Sequence, residues 1–289
     1  MKEATNYDLL DGGRKLPLVE DFYTIQGEGF HTGKPAYFIR LGGCDVGCRW
    51  CDAKYTWNPK LYPPTDISEV VRRATSCQAQ AIVITGGEPL LYPLGPLTSA
   101  LKGHGLKIFL ETSGSHPFSG YFDWVCLSPK RQQPPLPEAF WRAHELKVIV
   151  EREADLQWAE RNAEQVGREC KLFLQPEWSV SEEIMPLLDE ITPFAREVGA
   201  VNTVLTGKTS RGYNTDDPGF EQMLRYFGMN PDGRPVFILG SGGAMHACRN
   251  AVRRMGARET WVVSRNPKHA DEISYDDFYA RFPDMGGLI

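Results

Sequence analysis

The chain has 289 residues, more than one compact core usually needs, so one large or two medium-sized domains are expected. Its net charge of −5 gives no basic field of the kind that nucleic-acid binding requires. The N-terminus has no apolar segment and no apolar run reaches membrane-spanning length, so we expect no signal peptide and no membrane partner. A cytoplasmic location with reduced cysteines follows as the expectation.

Short apolar runs alternate with helical patterns along the first part of the chain. Helical spacing covers residues 67–77 and 155–167. The predicted strands lie at 17–28, 36–41, 81–85, 107–114, 121–129, 144–150 and 171–176. This alternation predicts an α/β fold with a mostly parallel sheet or a partial (β/α) barrel.

The pattern of predicted elements changes near residue 182. We place a domain boundary there, which divides the chain into residues 1–181 and 182–289. A helix with a proline break is predicted over 181–199, a strand over 200–205 and another helix over 217–228. Residues 235–265 show a strand, a glycine-rich turn, a helix and a second strand, which is one βαβ unit.

Three cysteines crowd into the stretch GGCDVGCRWCD at residues 42–52, namely Cys44, Cys48 and Cys51. They could be buried structural thiols, although a glycine-rich loop is a poor place for a core. They could bind zinc, but no fourth cysteine or histidine follows at zinc-finger spacing. They could instead hold three irons of a [4Fe–4S] cluster, which leaves the fourth iron open to a chelating ligand.

The spacing of these cysteines, with Trp50 just before the third, resembles that of the radical S-adenosylmethionine (SAM) superfamily. A second signal is AIVITGGEP at residues 81–89, a strand that runs into a glycine pair. Superfamily members carry such a motif where the main chain meets SAM. The resemblance implies that the cluster passes one electron to SAM and so releases a 5′-deoxyadenosyl radical, in a fold of the partial-barrel type.

The flanking residues resemble the 7-carboxy-7-deazaguanine synthase family more specifically. The similarity runs from residue 17 to about 185 and includes FLETSGS at 109–115, CLSPK at 126–130 and LFLQPEW at 172–178. It implies the rearrangement of 6-carboxy-5,6,7,8-tetrahydropterin to 7-carboxy-7-deazaguanine with loss of ammonia, a step of queuosine biosynthesis. It also implies a flavodoxin or ferredoxin as electron donor and a homodimer.

The resemblance transfers roles residue by residue. The cysteines Cys44, Cys48 and Cys51 are expected to bind the cluster. Substrate contacts are expected from Ile25, Gln26, Gly27, Arg40 and Thr85, and SAM contacts from Gly87, Ser128, Pro129 and Lys130. The guanidinium fork of Arg40 suits the substrate carboxylate physically, and the alternative for this residue is a surface ion pair.

One departure concerns magnesium. Many relatives have a threonine or serine directly after Cys-Asp, where the hydroxyl coordinates Mg²⁺. This chain has Ala53 there, and a methyl group cannot bind a hard cation that prefers oxygen. Asp52 or a water molecule would have to take its place.

The last third leaves the family pattern near Met185 and resembles shikimate dehydrogenase. GAVNT at 199–203 and NTD at 214–216 match its shikimate-binding pieces. GSGGA at 240–244 has the context of a dinucleotide phosphate loop, so Gly240, Gly242, Gly243 and Arg265 are candidates for an NADP site. The catalytic lysine and the serine pair of the shikimate dehydrogenase family have no counterpart in this chain. Asp217 stands where members of that family usually have glycine. We therefore expect an incomplete Rossmann-like segment.

The leading interpretation is a radical SAM carbon–nitrogen lyase followed by a vestigial shikimate dehydrogenase segment. The alternatives are an NADP-dependent shikimate dehydrogenase, and an inactive fusion that only binds a cluster or nucleotide. Because the family's closing segment after residue 178 is replaced, the sequence predicts that SAM cleavage is uncoupled from product formation.

Overall fold

The computed structural model describes residues 10–177, 180, 190–192, 196, 203–205, 209, 211–241 and 244–282. In these ranges the chain forms one large sheet, one small sheet and helices packed against both. No helix among the described residues is long and apolar enough to cross a membrane.

The large sheet has a parallel centre. Its strand order is β3-β1-β2-β4-β5-β6-β7-β8-β10-β11-β9, and β2 and β4 to β8 run parallel to their neighbours within that group. The strands in chain order are β1 (Lys15–Ile25), β2 (Pro35–Leu41), β3 (Pro64–Asp66), β4 (Ala81–Gly86), β5 (Lys107–Thr112), β6 (Trp124–Leu127), β7 (Glu145–Val150), β8 (Lys171–Pro176), β9 (Glu190–Ile191), β10 (Thr203–Leu205) and β11 (Arg211–Tyr213).

Helices connect the parallel strands and cover one side of the sheet. They are α1 (Ile67–Thr75), α2 (Gly95–Gly103), α3 (Pro137–Arg142) and α4 (Ala154–Ala163). Strand β4 shows why the sequence folds this way. Ile82 and Ile84 pack into the main core with α1 and α2, whereas Val83 faces a second cluster with Phe38. Burial on both faces explains why AIVIT is an unbroken apolar run.

The structure confirms the predicted α/β class and the parallel centre of the sheet. It corrects one predicted element: Glu190 and Ile191 form β9 instead of continuing a helix over 181–199. Ile191 is β-branched and Thr192 precedes Pro193, and a residue before proline is disfavoured in helical conformation. The remainder of that predicted helix, apart from Thr192 and Arg196, lies outside the described residues.

The last part of the chain contributes to both sheets. Strands β10 and β11 extend the large sheet, because β10 pairs antiparallel with β8 and β11 with β10. The small sheet has the parallel order β12-β13-β14, with β12 (Pro235–Leu239), β13 (Glu259–Val263) and β14 (Glu272–Ile273). The accompanying helices are α5 (Asp216–Tyr226), α6 (Ala244–Arg254) and α7 (Tyr275–Arg281). The large sheet thus continues past the proposed boundary at 181/182.

Candidate active site

The loop that carries the three cysteines leaves the carboxyl end of β2. Its start is held by backbone bonds, since the Gly43 amide donates to the Thr56 carbonyl at 2.6 Å and the Cys44 amide to the Trp57 carbonyl at 3.3 Å. Gly43 has φ +102°, a conformation that favours glycine. A β-carbon there would lie 2.2 Å from the Tyr92 hydroxyl, so the glycine also allows close packing.

The thiols of this loop are partly shielded from solvent. Burial raises the pKa of Cys44 and of Cys48, and hydrogen bonds from the Val46 and Gly47 amides oppose that rise at Cys44. Iron binding requires thiolates, so loading the site displaces protons from these groups.

The donor set fits a cluster. Three thiols lie within eight residues of one loop, and the Cys51 amide donates to the Cys48 carbonyl at 3.2 Å. Among the described residues, no three His, Cys, Asp or Glu side chains converge as ligands of a single metal ion. A cluster needs no such convergence, because each cysteine binds a different iron.

The TGGEP turn after β4 packs directly on the cysteine loop. The Gly87 amide donates to the Leu41 carbonyl at 2.9 Å, and the Glu88 amide donates to the Gly43 carbonyl at 2.8 Å. A β-carbon at Gly87 would lie 2.0 Å from the Gly43 carbonyl oxygen, so only glycine fits there. The predicted SAM contact at Gly87 therefore lies against the loop that begins at Gly43.

Glu88 joins this turn to the loop after β5. The carboxylate is only 1% exposed. It accepts hydrogen bonds from the Leu90 amide at 2.9 Å, the Thr112 hydroxyl at 2.6 Å, the Ser113 amide at 2.8 Å and the Ser113 hydroxyl at 2.5 Å. Four hydrogen bonds satisfy this buried carboxylate. Glu88 thus connects the TGGEP and ETSG motifs.

The Ser128–Lys130 loop, after β6, meets the cysteine loop from the other side. The Lys130 ammonium donates to the carbonyl and the hydroxyl of Ser128, each at 2.6 Å, and lies 5.5 Å from the centre of the Trp50 ring. Burial lowers the pKa of Lys130 to about 8, although the nearby Cys48 favours the charged form. Pro129 lies between these two residues. The three predicted SAM-loop residues therefore lie beside the cysteine loop.

Two predicted substrate residues meet at a carboxylate that the sequence analysis did not single out. Gln26 Nε2 donates to Glu111 Oε1 at 3.0 Å, and the Thr85 hydroxyl donates to Glu111 Oε2 at 3.4 Å. Ile25 is the last residue of β1, and Gly27 follows Gln26. The motif FLETSGS contained Glu111, but the resemblance assigned it no role.

Arg40 lies in β2 beside Thr85 of β4, where the strand register pairs the two residues. Its Nε donates to Glu20 Oε1 at 2.7 Å on the neighbouring strand. Among the described residues this ion pair engages Nε alone, and the terminal guanidinium nitrogens have no side-chain acceptor. The structure thus places Arg40 in an ion pair with Glu20, and it also places Arg40 beside Thr85, another predicted substrate contact.

Sequence reasoning also missed a half-buried charged pair at the base of this region. Lys147 donates to Glu28 Oε2 at 2.7 Å, and Gln175 donates to Glu28 Oε1 at 3.2 Å. The charge of Lys147 lowers the pKa of Glu28, and the charge of Glu28 raises that of Lys147 against the effect of burial. The sequence did contain a signal for this pair, because Lys147 is a charged residue inside the otherwise apolar run of strand ELKVIV.

Ala53 is buried and its carbonyl accepts a hydrogen bond from the Thr56 hydroxyl at 2.8 Å. Thr56 is the first threonine or serine that follows Ala53 in the chain, and its hydroxyl is engaged with the main chain. It therefore supplies no evident replacement for the magnesium ligand that the family resemblance implies.

Two of the predicted NADP residues, Gly240 and Arg265, line an open cleft at the carboxyl ends of β12 and β13. Gly240, Ser241, Ser264, Arg265 and Lys268 line it. Ser241 and Ser264 share a hydrogen bond of 3.0 Å across the two strand ends. Gly242, Gly243 and residues 199–202 of the GAVNT motif lie outside the described residues.

Comparison with known proteins agrees with the geometry of the first part. Residues 38–124 match the radical SAM superfamily. The 7-carboxy-7-deazaguanine synthase of Flavobacterium psychrophilum is 52% identical over 179 residues, which are 62% of this chain and 85% of that protein. The crystal structure of QueE from Escherichia coli is 32% identical, covers 64% of this chain and 92% of its own, and has a TM-score of 0.54.

A chorismate mutase/shikimate 5-dehydrogenase fusion protein from Clostridium acetobutylicum is 28% identical, covers 47% of this chain and 52% of its own, and has a TM-score of 0.39. The resemblance of the last third to shikimate dehydrogenase rests on its sequence motifs. Over the region that holds the cysteine loop and the glycine pair, the chain belongs to the 7-carboxy-7-deazaguanine synthase family of radical SAM enzymes.

Proposed function

We propose that this chain converts 6-carboxy-5,6,7,8-tetrahydropterin to 7-carboxy-7-deazaguanine with loss of ammonia. The observation that carries the proposal is the contact between the cysteine loop and the TGGEP turn, where Gly87 lies against Gly43. A cluster loop and a SAM-binding turn that interlock in this way serve radical chemistry. The 52% identity over 179 residues to the 7-carboxy-7-deazaguanine synthase of Flavobacterium psychrophilum supports 7-carboxy-7-deazaguanine as the product.

Radical SAM enzymes use a [4Fe–4S] cluster and SAM, and the donor set of this chain fits the cluster. Cys44, Cys48 and Cys51 would hold it. When bound, the cluster supplies the electron that starts radical chemistry from SAM. The part of the protein in this chemistry is to bind, orient and shield the reacting molecules.

SAM would be held between two backbone segments. Gly87 offers main chain that no side chain obstructs, because there is no room for one. Ser128, Pro129 and Lys130 approach from the loop after β6, and the two bonds from Lys130 to Ser128 hold this loop in shape. A half-buried ammonium at that position also favours an anionic group such as the carboxylate of SAM.

The substrate would contact Ile25, Gln26, Gly27, Arg40 and Thr85. Glu111 holds Gln26 and Thr85 together and presents carboxylate oxygens that can accept N–H groups of a pterin ring. The terminal nitrogens of Arg40 can form a second, substrate-directed bond while Nε keeps its bond to Glu20.

Partners and metal follow from the family resemblance and are part of the proposal. The electron donor is a flavodoxin or ferredoxin, and the enzyme acts as a homodimer. Magnesium would require a ligand other than residue 53, because the Ala53 side chain has no oxygen.

The test is an anaerobic assay of the reconstituted chain with SAM, a chemical reductant and the carboxytetrahydropterin. We expect 7-carboxy-7-deazaguanine to appear by mass spectrometry, and to be absent for the Cys48→Ala variant. A fully loaded protein that cleaves SAM but leaves the pterin unchanged would contradict the proposed substrate.

Nucleotide binding by the last third is a second candidate, favoured by the cleft that Gly240, Ser241 and Arg265 line at the strand ends. Strand ends of parallel sheets are where phosphate groups bind. The family's catalytic lysine has no counterpart, so we expect feeble NADP binding and no shikimate oxidation. Equilibrium titration with NADP, with Arg265→Ala as the comparison, and an absorbance assay of shikimate oxidation test this; robust turnover would overturn it.

A further inference from the structure

The segment that follows the synthase-like part of the chain returns to its sheet. Strand β10 pairs antiparallel with β8, with Val204 opposite Leu174 and Leu205 opposite Phe173. Strand β11 then pairs with β10, and α5 starts at Asp216. These elements begin beside β8, at the opposite end of the parallel group from β1 and β2.

Helix α5 nevertheless contacts strand β1 and the turn that joins β1 to β2. The Thr215 hydroxyl donates to the Gly27 carbonyl at 2.6 Å. The hydroxyls of Tyr226 and Tyr23 share a hydrogen bond of 2.9 Å. A β-carbon at Gly33, in the same turn, would lie 2.7 Å from Gln222 Oε1. Both ends of α5 therefore rest on β1 or the residues directly after it.

The start of α5 is itself firmly built. Asn214 Oδ1 accepts hydrogen bonds from the amides of Asp216 and Asp217 at 3.2 and 3.3 Å. Asp217 is fully buried and accepts from Arg254 Nη1 at 2.9 Å on α6. Thr215 is thus presented to Gly27 from a fixed position.

We infer that strand β11 and helix α5, residues 211–226, form a wall of the substrate site, with Thr215 as a positioning residue for the Gly27 main chain. The inference rests on the proposed function, which makes Gly27 a substrate contact. It replaces the expectation from sequence that departure from the family pattern leaves the site open. The NTD motif at 214–216 resembles a shikimate-binding motif, but here its Thr215 bonds to Gly27, a predicted pterin contact.

The proposal is tested on the full reconstituted chain with three variants. Thr215→Val removes the hydroxyl donor but keeps the side-chain shape, and Asn214 still caps the helix. Thr215→Ser keeps a donor. Thr209→Val makes the same chemical change at an exposed threonine of the same segment. The loss of one hydrogen bond that orders the loop predicts a rise of about fivefold in the KM for the pterin with Thr215→Val.

The accompanying measurements separate positioning from a general structural effect. With Thr215→Val we expect iron content, substrate-free SAM cleavage and kcat to stay within about twofold of the unaltered chain, since no bond to the cofactor site changes. Amide hydrogen exchange over residues 26–33 should become faster. Thr215→Ser and Thr209→Val should match the unaltered chain in KM and exchange.

The outcomes are distinct. If the unaltered chain forms product, and Thr215→Val has the same KM and the same exchange over residues 26–33, the wall inference is wrong and the proposed function stands. If the unaltered chain binds a cluster and cleaves SAM but forms no product, the proposed function fails and this inference fails with it.

Discussion

At the scale of single residues, the three loop cysteines carry the clearest prediction. Each of Cys44→Ala, Cys48→Ala and Cys51→Ala should lower the iron bound after anaerobic reconstitution from about four per chain to a small fraction, because each thiolate binds its own iron. Iron analysis and visible absorbance measure this. Cys77→Ala, at a half-buried thiol next to α1, is the matched control and should bind iron normally. Retention of the cluster by any loop variant would contradict the assignment.

His31 predicts a pH dependence of stability. Burial lowers its pKa to about 4, and its ring stacks on Phe109 with centroids 4.4 Å apart. The unfolded chain therefore binds more protons than the folded chain between about pH 6.5 and 4. The free energy of unfolding should fall as the pH falls through this window.

Urea unfolding between pH 7 and 4 measures that slope. His31→Phe keeps an aromatic ring on Phe109 and should make the slope shallower, whereas His104→Gln, at an exposed site, should leave it unchanged. Equal slopes in all three proteins would show that other groups dominate the titration.

At the scale of elements, Glu88 connects the ends of β4 and β5. Glu88→Gln replaces one acceptor oxygen by an NH₂ group that faces donors from Thr112 and Ser113. We expect a loss of about 2 kcal/mol in the free energy of unfolding, since buried donors lose a charged partner. Chemical denaturation measures it, with the exposed Glu160→Gln as control. A change of less than a few tenths of a kcal/mol would mean that the network is not a significant source of stability.

Elements of the large sheet were predictable where local pattern and burial agree. The run at 81–85 is almost all of β4, and the helix predicted over 155–167 is α4 with a shorter end. The strand predicted over 121–129 is observed only at Trp124–Leu127. Gly120, just before the predicted range, has φ +103° and lies close to Thr98 of α2. The residues that follow this turn therefore do not pair at once with β5. Local pattern sets the type of an element better than its limits.

Site residues were predictable only where they belong to a motif. The cysteine loop and Gly87 form contiguous signals, and the structure brings them together. The Gln26–Glu111 bond spans 85 residues and the Glu28–Lys147 pair spans 119, separations that no local pattern encodes. The Thr215–Gly27 bond spans 188 residues and depends on how the last third docks.

At the scale of the whole molecule, Asp217 and Arg254 tie the helix that rests on the large sheet to the helix of the small sheet. Asp217 is fully buried, so its bond to Arg254 at 2.9 Å has no water to replace it. Asp217→Asn should lower the free energy of unfolding by about 2 kcal/mol, because a charged hydrogen bond is lost at a fully buried site and Arg254 keeps only Glu221, at 3.2 Å, as a counter-charge. Calorimetry should show the small sheet unfolding at a lower temperature than the large one. Asp276→Asn, in the exposed first turn of α7, is the control and should change little.

The outermost strands of the large sheet also bear on how the protein behaves at high concentration. β3 has three residues and begins with Pro64, and β9 has two residues. Short edge strands with proline offer few open backbone groups on which another molecule could build a sheet. Without residues 203–213, by contrast, the six residues of β8 would form an open edge. Strand β10 covers part of this edge by pairing with Phe173 and Leu174 of β8. The last third of the chain thus reduces the backbone edge on which aggregation could start.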